Sequence, residues 1–281
     1  MISELRALRY EQRDAVALVT LSRPERLNAW TARMASEYRW ALETADDDPS
    51  VGAIVVTGDG RGFCAGADVK ALSDLAGGDD YRADAGDLRG ANDLRAAAGD
   101  RVVAPDFAHD FSWPLGLGTP VVAAVNGPVA GVGFVLACYC DIRFAAESTV
   151  FTTSFARLGL PAEHGVSWML SRLIGAGRAA DLLLSSRRVD AGEALAIGLV
   201  SRVVPDASLV EHAIAYAQRM ASELAPTSLA TIKRQLWSDT NQTLDAAATE
   251  AEALLPKMLA SPEFAEGAAA LAEKRPPRFT R

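Results

Sequence analysis

The chain has 281 residues, 49% hydrophobic and 23% charged, and its 28 Lys and Arg against 36 Asp and Glu give a formal net charge of −8. That length suits one or two domains with their own core, and the acidic balance argues against nonspecific nucleic-acid binding. Three His (109, 164, 212) and three Cys (64, 138, 140) stand in no zinc-binding spacing, so no metal site is expected and acid–base work falls to carboxylates. The opening MISELRALRYEQRDAVALVTL is charged throughout and has no secretory apolar core. No uncharged apolar run reaches the roughly 18 residues a membrane span needs. A reduced, cytoplasmic setting with no membrane contact is the expectation.

In chain order, AVALVTL (15–21) reads as a buried strand ended by Ser22, Arg23 and Pro24. Thr31 to Ala45 has helical spacing, with Met34, Tyr38, Ala41 and Leu42 on one face and Thr31 as N-cap. Asp46, Asp47, Asp48 and Pro49 end that helix. VGAIVVTG (51–58), TPVVAAVNG (119–127), DIRFAAE (141–147) and TVFTT (149–153) read as further strands. Such short strands between helices predict an α/β fold, not a sandwich. Residues 73–112, rich in Gly, Ala and Asp, read as a solvated insertion that can act as a lid or pocket wall.

From Arg178 the pattern is helical. ALAIGLVSRVVP (194–205) carries a helix, a stop at Gly198 and a short strand, and 208–224, 226–238 and 243–260 read as amphipathic helices. Pro226 and Pro256 read as breaks, and the tail as basic and irregular. The organisation expected is a core over 1–205, interrupted by the 73–112 insertion, and a C-terminal helical region over 206–281.

Two glycine-rich turns draw attention. Gly58 to Asp68 (GDGRGFCAGAD) follows a buried strand and precedes a helical stretch from Val69. Asn126 to Phe134 (NGPVAGVGF) follows another and opens an apolar helix. Small residues let backbone approach a ligand, and N–H groups at a helix start favour negative charge. Two such turns could aim one N–H each at a single oxygen, and neither is a P-loop because no GKS or GKT follows.

Taken in order, these segments resemble the crotonase (enoyl-CoA hydratase/isomerase) superfamily. The resemblance runs through LSRPERLNA (21–29), FCAGAD (63–68), PVVAAVNG (120–127), CDI (140–142), GLPAEHG (159–165) and ALAIGLVSRVVP (194–205). It implies a crotonase-like spiral of ββα repeats with a C-terminal helical trimerisation region, acyl-CoA thioester substrates, and a homotrimer or dimer of trimers. No permanently bound cofactor is implied; coenzyme A comes with the substrate. The resemblance also implies that the backbone N–H groups of Ala67 and Val132 hold the thioester enolate. Val132 departs from the usual Gly, yet any residue but Pro donates an N–H. By position, Arg26 lies near the CoA phosphates, or is a solvated turn arginine. The backbone of Leu27, Ala65, Gly66, Ala67 and Asp68, with Gly131, lines the path of the coenzyme.

The acids depart from that family. The two glutamates of an ordinary hydratase fall at Val135 and Phe155, which cannot transfer a proton. Glu163 remains, at a position that is acidic and catalytic in related isomerases and a dehalogenase branch. A carboxylate beside apolar Leu160, Trp168 and Phe155 is desolvated and suited to pass a proton near neutral pH. Helix capping is its alternative role, though Asp and Asn cap better. His164 could orient Glu163 or a water. His109 and His212 read as surface residues, although His109 with Asp110 could fold over the site. Cys64, Cys138 and Cys140 read as packing residues, a Cys64 thiolate being the alternative. Asp68 and Asp141 read as caps or ion-pair partners. Double-bond isomerisation with Glu163 as acid and base is the expected activity; hydration, CoA-thioester hydrolysis or C–C cleavage, and an inert acyl-CoA binder are the alternatives.

Overall fold

The computed structural model describes residues 5–68 and 105–280. The helical stretch expected from Val69, and the insertion expected at 73–112 as far as residue 104, lie outside them. In chain order the strands are β1 (Leu8–Arg13), β2 (Val16–Leu21), β3 (Ala53–Gly58), β4 (Val121–Val125), β5 (Val129–Ala130), β6 (Ile142–Ala146), β7 (Val150–Thr152), β8 (Val189–Asp190) and β9 (Arg202–Val204). The helices are α1 (Ala32–Asp47), α2 (Val132–Cys138), α3 (Val166–Ile174), α4 (Ala176–Ser185), α5 (Ala191–Ala196), α6 (Leu209–Glu223), α7 (Pro226–Ser238), α8 (Leu244–Leu259) and α9 (Pro262–Glu273).

A six-stranded sheet runs β1-β2-β3-β4-β6-β9, and all neighbours except β1 and β2 are parallel. Parallel strands are covered on both faces, so β2, β3 and β4 are unbroken apolar runs, buried at every position. Val16, Leu18, Val55, Val122 and Phe144 point to one face, under Leu209, Ala213 and Ala217 of α6. Val19, Leu21, Ile54, Val56 and Ala123 point to the other, into a larger core with Met34, Tyr38 and Leu42 of α1 and Phe134 of α2. A small second sheet, β5-β7-β8, extends that core.

Thr31 caps α1 as expected, its hydroxyl accepting the Met34 N–H at 3.1 Å. Glu37, on the same helix, pairs with Arg33 at 2.7 Å and accepts the N–H groups of Arg6, Ala7 and Leu8, which ties the chain start to α1. The polar β1 and the two-residue β5 escape the sequence patterns, because an edge strand needs few apolar residues and β5 is too short to show a period. Pro226 starts α7, but Pro256 does not break the chain: α8 continues through it to Leu259. Pro256 is exposed and one turn from the helix end, where the carbonyl it frees can turn to water. The C-terminal region also holds α9, which the patterns above do not mark.

Candidate active site

Two backbone segments run side by side at the carboxyl edge of the sheet. Cys64 bridges Val129 in parallel, and Ala130 donates its N–H to the Cys64 carbonyl at 3.0 Å. Ala67 stands three residues beyond Cys64, and Val132 three beyond Val129, so this register carries the two residues forward together. Gly66 (φ 108°) and Gly131 (φ 49°) take left-handed conformations just before them. A Cβ on Gly131 would lie 3.8 Å from Gly66 Cα, and one on Gly133 only 2.1 Å from the Cys64 carbonyl oxygen. Glycine at 133 is what lets α2 sit against the first turn.

The two N–H groups are not used by the fold. In the bridge between Trp30 and Ala67, Trp30 donates to the Gly66 carbonyl at 2.8 Å and Asp68 donates to the Trp30 carbonyl at 3.1 Å. That pattern leaves the Ala67 N–H pointing away from Trp30. Val132 is the first residue of α2, and its N–H, like the others of a first turn, has no partner within the helix. Neither N–H has a hydrogen-bond partner among the described residues. Two neighbouring free donors in a mostly buried setting can hold one anionic oxygen.

The first turn is braced by fully buried Asn28. Its Oδ1 accepts the Arg23 N–H at 2.8 Å, and its Nδ2 donates to the carbonyls of Asp59 and Gly62 at 2.9 and 2.8 Å. Leu27 and Asn28 both adopt left-handed backbone, and the Leu27 carbonyl accepts the Ala65 N–H at 3.0 Å. The Ala65 N–H is therefore committed, while Ala65 itself remains exposed. Asp68 is an ion-pair partner, 2.9 Å from Arg23. Arg26 is exposed on the 3₁₀ turn Pro24–Arg26 and forms no ion pair with a described residue.

Val135 and Phe155 are buried among apolar neighbours in the main core. The 3₁₀ turn Glu163–Gly165, which precedes α3, packs against α2. Glu163 is half-buried, and its carboxylate forms no hydrogen bond or ion pair with a described residue. It caps nothing, since α3 starts at Gly165 without a side-chain cap. His164 is left-handed (φ 52°), a conformation that costs a non-glycine residue about 1–2 kcal/mol. Tyr139 Oη donates to the His164 carbonyl at 2.7 Å, and the His164 ring lies 4.4 Å from the Phe111 ring. The residue is exposed overall, with one ring contact to Phe111. Burial holds the imidazole below its ordinary pKa, against the pull of Glu163 and Asp110.

A cavity of about 540 Å³ opens beside this turn, lined by Phe107, His109, Tyr139, His164, Trp168 and Trp237 among others. His109 is exposed, as expected, and faces that cavity. His212 corrects its expectation: it is half-buried, edge-on to Phe144, because β6 turns an aromatic toward α6 there. The three thiols are buried, and burial pushes each up to about 12, which removes the Cys64 thiolate as a nucleophile near neutral pH. Of the aromatic wall of Tyr139, Trp168 and Trp237, only Trp168 is among the residues singled out by sequence.

The sequence model for enoyl-CoA hydratase/isomerase matches residues 11–85 and 75–281. The chain belongs to the enoyl-CoA hydratase/isomerase family. A relative in Mycobacterium bovis, named a probable enoyl-CoA hydratase, is 34% identical over 273 residues, 96% of each chain. A second from the same organism and with the same description is 38% identical over 277 residues, 95% of this chain and 90% of the relative. Among solved structures, an enoyl-CoA hydratase subunit from Geobacillus kaustophilus superimposes with a TM-score of 0.82 at 33% identity over 99% of both chains. One from Mycobacterium tuberculosis gives 0.81 at 27% identity over 98% of both. The crotonase fold and an acyl-CoA enzyme of the hydratase/isomerase family are thereby shown for this chain.

Proposed function

We propose that this family member moves the double bond of an enoyl-CoA thioester. In this reading, Glu163 removes a proton from C2 of a 3-enoyl thioester. The electron pair delocalises onto the thioester oxygen, which the N–H groups of Ala67 and Val132 receive. Glu163 then returns the proton to C4, leaving the double bond at C2–C3. The observation that carries the reading is the placement of acids. The two hydratase positions are apolar and buried at Val135 and Phe155, whereas the unpartnered Glu163 carboxylate sits in a turn packed against α2. One carboxylate suffices for a 1,3-proton shift, while syn addition of water uses two.

The test is exchange with deuterated water. The wild type should exchange the C2 and C4 protons of a 3-enoyl-CoA, and Glu163→Gln should slow this by about 10²–10⁴-fold. Unchanged exchange in the Gln variant removes Glu163 from the mechanism. Hydration of a 2-enoyl-CoA is the second reading, favoured by the names of the relatives. Water addition to crotonyl-CoA by the wild type decides for it. CoA phosphates would meet the exposed Arg26, and the enzyme would act in the cytoplasm as a homotrimer or dimer of trimers, which light scattering measures.

A further inference from the structure

The cavity beside Glu163 has a lining that a straight fatty chain does not call for. Its walls are rings: Phe107, Tyr139, Trp168 and Trp237. Two of their polar atoms are already committed, because Tyr139 Oη donates to the His164 carbonyl and Trp237 Nε1 donates to Asp141 Oδ1 at 2.8 Å. Phe107, Tyr139 and Trp237 therefore present ring surface, and Trp168 adds an indole with the Arg172 guanidinium 3.8 Å over one of its faces. The polar residues lining the cavity are His109, Asp110, Ser112, His164 and Asn241, and Ser112 and Asn241 already have partners, which leaves His109, Asp110 and His164 to a ligand. These three residues are exposed, and an alkyl tail makes no use of their hydrogen-bonding capacity. A ring stacks on the indoles, and an oxygen on that ring can pair with an imidazole or the Asp110 carboxylate.

The position of the cavity links it to the chemistry. His164 and Gly165 line it and directly follow Glu163 in the same turn. Tyr139 lies at the end of α2, whose first residue is Val132. The volume, about 540 Å³, falls within the range that holds a whole small ligand.

We infer that the acyl group this enzyme takes is a ring-bearing, oxygen-substituted one, seated between Trp168 and Trp237 with its oxygen on His109, Asp110 or His164. The inference rests on the acyl-CoA reading above and names the substrate class within it.

Saturated thioesters test it without any turnover. Binding of 4-(4-hydroxyphenyl)butanoyl-CoA and decanoyl-CoA, matched in acyl carbon number, is measured by calorimetry against free CoA. The hydroxyphenyl thioester should bind at least about tenfold tighter than decanoyl-CoA. Trp168→Leu and His109→Leu should each shrink that ratio while leaving affinity for free CoA unchanged. Equal or tighter binding of decanoyl-CoA overturns the inference and leaves the isomerase reading standing. So does a preference that survives both variants. Conversely, failed deuterium exchange with a preserved hydroxyphenyl preference removes the isomerase reading alone, and no binding of either thioester removes both.

Discussion

Gly133→Ala separates two opposite expectations. On an isolated helix this change is favourable by about 1 kcal/mol, because Ala loses less backbone entropy than Gly. Here the new Cβ would fall 2.1 Å from the Cys64 carbonyl oxygen, 2.7 Å from Cys64 Cβ and 2.9 Å from the Cys64 carbonyl carbon. Two of those atoms are backbone and none can swing aside. The start of α2 must back away from the 64–67 segment by about 1 Å, and overpacking of this kind costs about 1–3 kcal/mol. A net loss on the order of 1 kcal/mol is expected in urea unfolding. The same displacement carries the Val132 N–H away from Ala67, and a misplacement of about 1 Å costs about 10²-fold in rate. Deuterium exchange into a 3-enoyl-CoA should drop by that factor, with thioester binding weakened far less. A variant that is more stable by about 1 kcal/mol and exchanges at the wild-type rate would refute the close approach and its role together.

Val132→Pro removes only the N–H, because proline fits the first position of a helix; turnover should fall about 10²–10³-fold with the fold intact by circular dichroism, and undiminished turnover would take this donor out of the mechanism. Lys233→Met takes Nζ from Asp141 (2.8 Å) and from the Thr119 carbonyl (2.9 Å), leaving a carboxylate mostly buried with the N–H groups of Val121 and Trp237 alone. It should cost about 3–5 kcal/mol in urea unfolding, and less when Asp141→Asn is added. Iodoacetamide at pH 8.5 should label none of the three cysteines in the native protein and all of them in urea, since each native thiol is pushed up to about 12. Those thiols ionise first in the unfolded chain, from about 9, so stability should fall as pH rises between about 9 and about 12; a flat pH dependence there would contradict their burial.

Much of the scaffold was legible because its strands are buried on both faces. AVALVTL, VGAIVVTG and TPVVAAVNG are continuous apolar runs, and such runs stand out wherever they lie. Glycine made the turns legible as well, since Gly66 and Gly131 occupy backbone that other residues adopt at a cost. Elements held by single long-range contacts were not legible. β1 is mostly polar and is fixed by pairing with β2 and by Glu37 of α1, which accepts the N–H groups of Leu8 at its start and of Ala7 just before it. The aromatic cavity was invisible for the same reason. Tyr139, Trp168 and Trp237 are far apart in sequence, and they meet through the Glu163–Gly165 turn packed on α2 and the hydrogen bond from Trp237 of α7 to Asp141, just beyond α2.

The division of labour between backbone and side chain lets positions 135 and 155 be apolar while the crotonase fold is kept. The two donors at Ala67 and Val132 are main-chain atoms, so their placement depends on Gly66, Gly131 and Gly133 and on the Cys64–Val129 register. Side chains at 135 and 155 are free to change as long as they fill the core. Val135 and Phe155 do so, at 0% and 3% exposure. Restoring both glutamates would place two carboxylates in that apolar volume, with a desolvation cost of several kcal/mol for each unpaired charge. On the proposed isomerase reading the proton carrier stands where the core ends, in the half-buried turn at Glu163, which borders α2 and the cavity and whose carboxylate has no structural duty among the described residues.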